Sequence, residues 1–436
     1  MNLSKFRFLA CVGLVCLSTP FTAISQLSSG DRDTSITMLD MARDVIKKNY
    51  FDPAYRGIDV DFVFDQVKGR MQAAPNRDSL MMLVASATLA LDDSHTYFLP
   101  PSRAAEIDYG WTVGLVGDEA FITHVKPRSD AEQKGVKVGD KLVTIDGTQV
   151  SRKNLWKMEY RYRAVAPTSK VHMTLLGPGD AQPREVDVLT KISKTGSVVP
   201  LQVAYDRGVV KHGWDDKELV NEFVDFGTDL CIWRLHTFEQ SDSALEAAIS
   251  HVKKYKSLII DLRDNGGGYV DIEKKLVGAI FDHDVKIGDE KSRRETKPVL
   301  AKTRGSGAYK GDLIVVVDQG SASASEVFAK VVQLEKRGKV IGDRTAGAVM
   351  TSKFVPLELG MENVIYFGMS VAITDLLMSD GKSLEKVGVT PDETVVPKQA
   401  DLANKRDPVL AYAAKLSGTD LSPDKAGTLF PYVWPK

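Results

Sequence analysis

The sequence is poor in cysteine and has no long apolar run after its N-terminus. Three of the 436 residues are cysteine, and two of them, Cys11 and Cys16, lie within the first 25 residues. Cys231 is the single cysteine of the remainder, which excludes an intramolecular disulfide there, and its apolar neighbours favour an inert core residue. No later run approaches bilayer-spanning length, so no stable membrane span is expected.

The chain also lacks an excess of either charge. Lys and Arg number 57 against 58 Asp and Glu. No basic run is interleaved with aromatic residues, so a general nucleic-acid-binding role is excluded. His, Cys and carboxylates show no metal-site spacing, and no phosphate-loop motif is present, so neither a metal nor another cofactor is expected. The length predicts two or three domains.

The first 25 residues have the three parts of a secretory signal peptide. Lys5 and Arg7 form a basic start, residues 8–17 are almost wholly apolar, and small residues lead to Ser25. A short membrane anchor is the alternative, but this apolar run is too short to cross a bilayer. We therefore predict that residues 1–25 are removed and that the protein is exported, to the periplasm or beyond the cell.

Four patterns follow one another along the remaining chain. Residues 26–100 carry apolar residues at helical spacing, which predicts a helical subdomain. Residues 101–195 carry short alternating strands and glycine turns, which predicts a β-rich domain. Residues 196–400 alternate strands and helices and predict an α/β layer with parallel strands, while residues 401–436 predict a helical tail.

The β-rich segment resembles a PDZ domain. Residues 131–147, which read AEQKGVKVGDKLVTIDG, match the helix, glycine turn and strand of that pattern. In PDZ domains an edge strand accepts a peptide as an added strand. Residues 110–115, GWTVGL, stand where a GLGF-type peptide-binding loop is more usual, so the fold and the peptide capture are separate expectations.

Residues 313–328 predict a strand, a sharp turn with three serines, and a helix. The β-branched run ends before Gly320, and a helical pattern begins near Ala324. Such a turn exposes a hydroxyl and leaves backbone N–H groups free to hold an oxyanion, as acyl transfer requires. A serine-rich helix cap is the alternative interpretation, because serine also satisfies first-turn N–H groups.

Three further segments carry residue types that suit the same chemistry. Residues 261–268, DLRDNGGG, end a predicted strand in glycines that let the backbone approach a substrate closely; a plain tight turn is the alternative. His95, which follows Ser94, offers a base that titrates near neutral pH, or is structural. Glu385 offers a carboxylate to orient an imidazole, or is a solvated turn residue.

Together these segments resemble the C-terminal processing, or tail-specific, serine peptidase family over nearly all of the chain after residue 25. The resemblance implies an α/β fold: a crotonase-like ββα-spiral peptidase core with an inserted PDZ domain and an N-terminal helical subdomain. It also implies serine endopeptidase activity on polypeptides without a cofactor. The motifs that carry it are residues 92–96 (DDSHT), the PDZ-like stretch, 261–268, 320–326 (GSASASE), 342–347 (GDRTAG) and 388–392 (GVTPD).

The resemblance assigns roles to single residues. The middle serine of the Ser-Ala-Ser-Ala-Ser run, Ser323, corresponds to the nucleophile. The oxyanion would be held by the N–H of Ala324 and by that of Gly267 or Gly268.

The general base departs from the bacterial and plastid members of the family. Those members use a lysine in a GExTxGKG stretch, and Ala348 stands at the lysine position here. The tricorn protease core, of the same superfamily, uses Ser, His, Glu and a helper Ser instead, in contexts that Ser94, His95 and Glu385 match. The resemblance therefore favours His95 as base and then acid, oriented by Glu385 through Ser94 or directly.

Two alternatives stay open. Lys353 lies five positions beyond Ala348, an odd shift that turns a strand residue to the opposite face unless a bulge intervenes. The superfamily also includes retinoid-binding repeats, so a non-catalytic peptide- or ligand-binding protein is the second alternative. The sequence does not predict the natural substrate, the oligomeric state, or whether the PDZ-like segment activates or inhibits.

Overall fold

A computed structural model describes residues 27–101, 103, 105–194, 220–361 and 364–434. The predicted signal peptide, with Cys11 and Cys16, lies outside the described residues. Within the described ranges no helix combines the length and the apolar character needed to cross a membrane.

Helices and strands alternate in three different styles along the chain. The helices are α1 Ser29–Asn49, α2 Val60–Met71, α3 Arg77–Thr88, α4 Asp130–Gln133, α5 Leu155–Tyr160, α6 Asp242–Val252, α7 Val270–Ile280, α8 Ala324–Leu334, α9 Gln399–Ala403, α10 Pro408–Leu416 and α11 Pro423–Ala426. The strands are β1 Tyr97–Leu99, β2 Ala105–Asp108, β3 Trp111–Val116, β4 Glu119–Val125, β5 Lys141–Ile145, β6 Thr148–Gln149, β7 Lys170–Leu176, β8 Arg184–Leu189, β9 Lys191–Lys194, β10 Asn221–Phe226, β11 Leu230–Leu235, β12 Ser257–Asp261, β13 Val285–Ser292, β14 Thr296–Ala301, β15 Asp312–Val317, β16 Lys339–Gly342, β17 Met350–Leu359, β18 Ile365–Met378 and β19 Glu393–Thr394.

A six-stranded sheet forms the centre of the second half of the chain. Its order is β10-β11-β12-β15-β16-β19, and every neighbouring pair is parallel except β10 with β11. Strands β12 and β15 are buried on both faces, which explains their continuous apolar runs. Helices α6, α7 and α8 cover one face, and α10 and α11 cover the other. The predicted α/β fold is confirmed.

A five-stranded antiparallel sheet joins the N-terminal helices to this core. Its order is β1-β18-β13-β14, and β17 also pairs with β18. Side chains of α1 to α3, such as Leu39 and Leu80, share one apolar cluster with Phe98 of β1 and Phe367 of β18. Because β1 begins at Tyr97, its pairing with β18 fixes the residues that immediately precede it.

Residues 105–194 form a β-rich unit with its own apolar cluster. Five antiparallel strands run in the order β3-β4-β5-β7-β8, with β6 added to β5, and β2 pairs with β9 in a separate ribbon. Trp111, Ile122, Leu142 and Met173 belong to the cluster inside this unit. Within the described part of the chain β3 pairs with β4 alone, so its other side is a sheet edge.

Candidate active site

Ser323 occupies the turn between β15 and α8 in a strained backbone conformation. Its φ is +55° and its ψ is −117°, values that a residue other than glycine adopts only where its surroundings impose them. The Ser323 N–H donates to the Ala348 carbonyl at 3.0 Å and to Glu326 Oε2 at 3.1 Å. These two bonds hold the turn, so the strain is compensated locally.

The three serines of this turn have different surroundings. Ser321 is buried and donates its hydroxyl to the Leu262 carbonyl at 2.7 Å, and buried Ser325 donates to the Asn265 carbonyl at 2.9 Å. Ser323 is partly exposed and lines a large groove of about 3070 Å³. Of the three hydroxyls, that of Ser323 is therefore the one presented to a bound molecule.

The groove brings together most of the residues expected from the sequence. It runs between the β-rich unit and the parallel sheet. Its lining includes Ser94, His95, Gly267, Gly268, Ser323 and Ala324. Glu385 lies behind this lining and reaches the groove through Ser94.

Glu385, Ser94 and His95 form a hydrogen-bonded series. Ser94 donates its hydroxyl to Glu385 Oε2 at 2.8 Å and its backbone N–H to Glu385 Oε1 at 2.8 Å, and Ser94 Oγ lies 2.6 Å from His95 Nδ1. Asp93 Oδ1 accepts the His95 N–H at 2.9 Å, which fixes the histidine backbone. Glu385 is 6% exposed, and this burial raises its pKa although the Ser94 bonds oppose the shift.

One loop links this series to the serine turn. The Ala348 carbonyl accepts from Ser323, and the N–H of the next residue, Val349, donates to Glu385 Oε2 at 2.9 Å. The serine turn and Glu385 are thus held by adjacent residues of the same loop, although Ser94 and Ser323 are far apart in the sequence.

Ala348 and Lys353 occupy very different positions. Ala348 lies against the serine turn and lines the groove, so the methyl group stands beside Ser323. Strand β17 does carry a bulge between Thr351 and Ser352, yet Lys353 is exposed to solvent and is not part of the groove lining.

The glycine triplet packs directly against the serine turn. Gly267 has a φ of +94°, and a Cβ there would lie 2.7 Å from Ser323 Cβ and 3.0 Å from Ala324 N. The Gly267 N–H donates to Asn265 Oδ1 at 2.9 Å. Among the described residues, no acceptor is bonded to the N–H of Gly268 or of Ala324. These two donors face a region that is open to a substrate oxygen.

Glu326, which sequence reasoning did not assign to the site, braces it from inside. This buried carboxyl group accepts from Thr345 Oγ1 at 2.6 Å, from Gly347 N at 2.7 Å and from Ala348 N at 2.8 Å, besides Ser323 N. Burial raises its pKa to about 7 against the effect of those donors. The Ser-x-x-Glu spacing of a helix capping box is the signal that predicts this residue.

The β-rich unit contacts the same loop through Arg152. Its guanidinium donates to Asp343 Oδ2 at 2.9 Å and to the carbonyls of Gly117 and Arg344. The Gly117 N–H also donates to Asp343 Oδ2, at 2.8 Å. Both Arg152 and Asp343 are largely buried, so this contact is a packed joint between the unit and the start of the loop.

One group of potential metal ligands occurs among the described residues, away from the groove. The ligand atoms of Asp225, Cys231 and His251 lie within 4.8 Å of one another. His251 Nε2 lies 3.1 Å from Asp225 Oδ1, and Cys231 is fully buried. None of the three belongs to the groove lining.

Comparison with known proteins identifies the family. Residues 229–395 match the model of peptidase family S41. The chloroplastic C-terminal processing peptidase of Tetradesmus obliquus is 28% identical over 345 residues, which are 74% of this chain and 69% of that protein. The chain belongs to peptidase family S41. The S41 peptidase is therefore a serine-type peptidase whose substrates are polypeptides, as the sequence predicts.

Further relatives of the S41 peptidase come from both branches considered above. The carboxy-terminal-processing protease of Bartonella bacilliformis is 24% identical over 353 residues, or 76% of this chain and 73% of that protein. The putative tricorn protease homolog 2 of Streptomyces coelicolor is 25% identical over 409 residues, which are 87% of this chain but 32% of that longer protein.

Solved structures of similar proteins show the same fold. Mature CPAF in complex with lactacystin superposes with a TM-score of 0.64 and 14% identity, covering 89% of this chain and 98% of the other. The photosystem II D1 C-terminal processing protease has a TM-score of 0.51 and 19% identity, covering 92% and 100%. At these identities the likeness concerns the fold of the S41 peptidase alone.

Proposed function

We propose that the S41 peptidase is an exported endopeptidase in which Ser323 is the nucleophile and His95 the general base. The observation that carries this proposal is the hydrogen-bonded series from Glu385 through Ser94 to His95, on the groove that also receives the Ser323 hydroxyl. A serine nucleophile needs a base of this kind, itself oriented by a third group.

The hydrogen bonds around Ser94 support one tautomer of His95. Glu385 accepts from two backbone N–H groups, those of Ser94 and Val349, which favours its ionised form. The Ser94 hydroxyl then gives its single proton to Glu385 and accepts at Oγ from Nδ1–H of His95. Nε2 of His95 thus carries the lone pair that serves as the base.

The reaction follows from these positions. Ser323 Oγ bonds to the substrate carbonyl carbon while its proton passes to His95 Nε2, and the N–H groups of Ala324 and Gly268 stabilise the oxyanion. The intermediate expels the amine, which takes the proton from His95. Water then attacks the acyl-enzyme by the same route and releases the new C-terminus.

Two observations support a histidine over a lysine mechanism. Ala348 has no titratable group at the place where a lysine base is expected, and Lys353 is exposed outside the groove lining. A catalytic lysine must lose its proton near neutral pH, which requires burial or a neighbouring cation.

We also propose that the β-rich unit is a PDZ domain that binds or gates substrate C-termini. The free edge of β3 offers backbone groups to an added strand. A small apolar pocket of about 30 Å³ lies between β3 and α5, lined by Trp111, Val113, Leu155 and Met158 among others. It suits an apolar side chain near a chain end, in line with the names of the C-terminal processing relatives.

The test is active-site labelling together with cleavage of an unfolded protein substrate. Purified protein without residues 1–25 is treated with a fluorophosphonate probe, and the labelled peptide is mapped by mass. We expect labelling at Ser323 that disappears in Ser323→Ala and falls at least about 100-fold in rate in His95→Ala. Lys353→Ala, the matched control, should label and cleave like the wild type.

Two results would contradict the proposal. Retained labelling in His95→Ala with loss in Lys353→Ala would assign the base to the lysine. Binding of apolar C-terminal peptides by a wild type that neither labels nor cleaves, even with those peptides present, would favour a binding protein.

A further inference from the structure

The groove contains one buried carboxyl group that this chemistry does not use. Glu273 lies one turn into α7, is 3% exposed and belongs to the groove lining. Its Oε1 is buried without a hydrogen-bond partner among the described residues. An unpartnered buried carboxyl group costs free energy, so a partner supplied by a ligand is the physical reason to look for one.

Glu273 lies under the place where the reactive carbonyl must bind. Helix α7 begins two residues after Gly268, helix α8 begins directly after Ser323, and the two helices pack against each other. Gly267 brings their starting turns into contact. Val327, one turn into α8, is buried and also lines the groove. Glu273 and Val327 therefore line the gap between the first turns of the two helices.

This gap suits a long side chain with a polar end. One helical turn advances about 5.4 Å, a depth that the methylene chain of lysine or arginine spans. Val270 and Val327 offer apolar walls for that chain, while the unpartnered oxygen of Glu273 accepts from its end. A cation also neutralises the carboxylate that burial disfavours; burial raises the Glu273 pKa to about 8, with Lys274 opposing the shift.

We infer that Glu273 forms the base of a subsite for the lysine or arginine side chain of the residue that supplies the attacked carbonyl. The inference rests on the proposed function, because the carbonyl position is defined by Ser323 and the oxyanion donors. The side chain of that residue is attached next to the carbonyl carbon. It is thus the substrate side chain nearest the two helix starts.

The experiment compares peptides that differ only at that residue: lysine, norleucine or acetyl-lysine. Norleucine keeps the methylene chain without the charge, and acetyl-lysine keeps the length without the cation. For the wild type we expect kcat/KM to be at least about tenfold higher with lysine than with either neutral residue. In Glu273→Leu the preference should reverse towards norleucine, and in Glu273→Gln it should shrink to about twofold or less.

Matched controls separate specificity from damage. Asp271→Asn changes an exposed carboxylate on the same turn of α7 and should leave the lysine preference intact. Fluorophosphonate labelling of Ser323 in each variant reports an intact nucleophile, and Glu273→Gln replaces Glu273→Leu if the latter fails to fold. A labelled, active wild type without a preference for lysine overturns this inference alone. A wild type that neither labels nor cleaves overturns the proposed function and the subsite with it.

Discussion

At the scale of single residues, the site depends on groups that touch each other rather than on the nucleophile alone. Ser94 is the clearest case, because it contacts both Glu385 and His95. Glu326 is a second, since it holds four donors from two segments. Substitution of either residue tests the positioning of the base or of the turn without removing a reacting atom.

Ser94→Ala should lower kcat about 10- to 100-fold with little change in KM, because His95 loses the group that fixes its tautomer. Glu385→Gln should have an effect of similar size. In the double variant the two losses should not add, since both act through the same hydrogen bonds. Steady-state kinetics on one peptide measures this cycle, and additive losses would mean that Glu385 acts on His95 by a separate route.

Glu326→Gln should destabilise the fold by about 2 kcal/mol and reduce activity, because an amide NH₂ would face backbone N–H donors. Denaturant unfolding and labelling of Ser323 measure the two effects. Glu335→Gln, a change at the C-terminal end of the same helix, serves as control. Stability equal to that of the wild type would show that the four donors find other acceptors.

Glu273 predicts a pH dependence of stability. Its pKa of about 8 in the fold lies above the ordinary value of 4.5, so the folded state holds a proton that the unfolded state has lost. Stability from this group therefore falls as pH rises from about 4.5 to 8, by roughly 3 kcal/mol. Glu273→Gln should gain on the wild type between pH 5 and pH 8 in denaturant unfolding. A constant difference between the two proteins would contradict the burial effect.

At the scale of elements, the site is made where three chain segments end. Strand β12 ends in the glycine triplet, β15 ends in the serine turn, and β16 ends in the loop that carries Ala348. These strands are parallel neighbours, so their carboxyl ends meet at one edge of the sheet, where α/β proteins build their sites.

Gly267→Ala should lower kcat at least about 100-fold, because a Cβ there would overlap Ser323 Cβ at 2.7 Å and the φ of +94° disfavours alanine. Gly179→Ala is the matched control. Its φ is +82°, but nothing lies within 4 Å of the added Cβ, so it should lose about 1 kcal/mol of stability and keep its activity. Peptide cleavage and thermal unfolding distinguish the two, and an active Gly267→Ala would contradict the close packing.

At the scale of the whole molecule, the β-rich unit and the catalytic loop share the Arg152 joint. Loop residue Asp343 accepts from this unit, and the same loop bonds Ser323 and Glu385 farther along. A ligand on the β-rich unit that moves Arg152 therefore changes the groove, provided that the joint has two arrangements.

Arg152→Ala should reduce kcat about tenfold or more and weaken any response to apolar C-terminal peptides, because it leaves Asp343 largely buried without its cation. Arg344→Ala is the control, since its pair with Asp118 is exposed and such pairs contribute about 0–1 kcal/mol. Cleavage rates with and without a C-terminal peptide measure both effects. Equal behaviour of the two variants would show that the joint is structural only.

Much of this arrangement is predictable from local sequence. The continuous apolar runs of β12 and β15 predict buried parallel strands, and the break at Gly320 predicts the serine turn. Motif resemblance directed attention to Ser94, His95, Glu385 and the glycines before any coordinates. Glu326 was within reach through its capping spacing. The antiparallel sheet of β1, β13, β14, β17 and β18 was not anticipated, because its partners are separated by up to 270 residues or more in the chain.

The sequence by itself determined the family, the α/β fold and the serine peptidase class, because turns, apolar periodicity and motifs depend on residues that are near neighbours in the chain. Only the tertiary structure decided which of three serines faces the groove, that Ala348 rather than Lys353 lies beside it, and that Glu273 is buried without a partner. Those facts depend on packing between distant segments, where burial and the supply of hydrogen-bond partners are set by the whole fold.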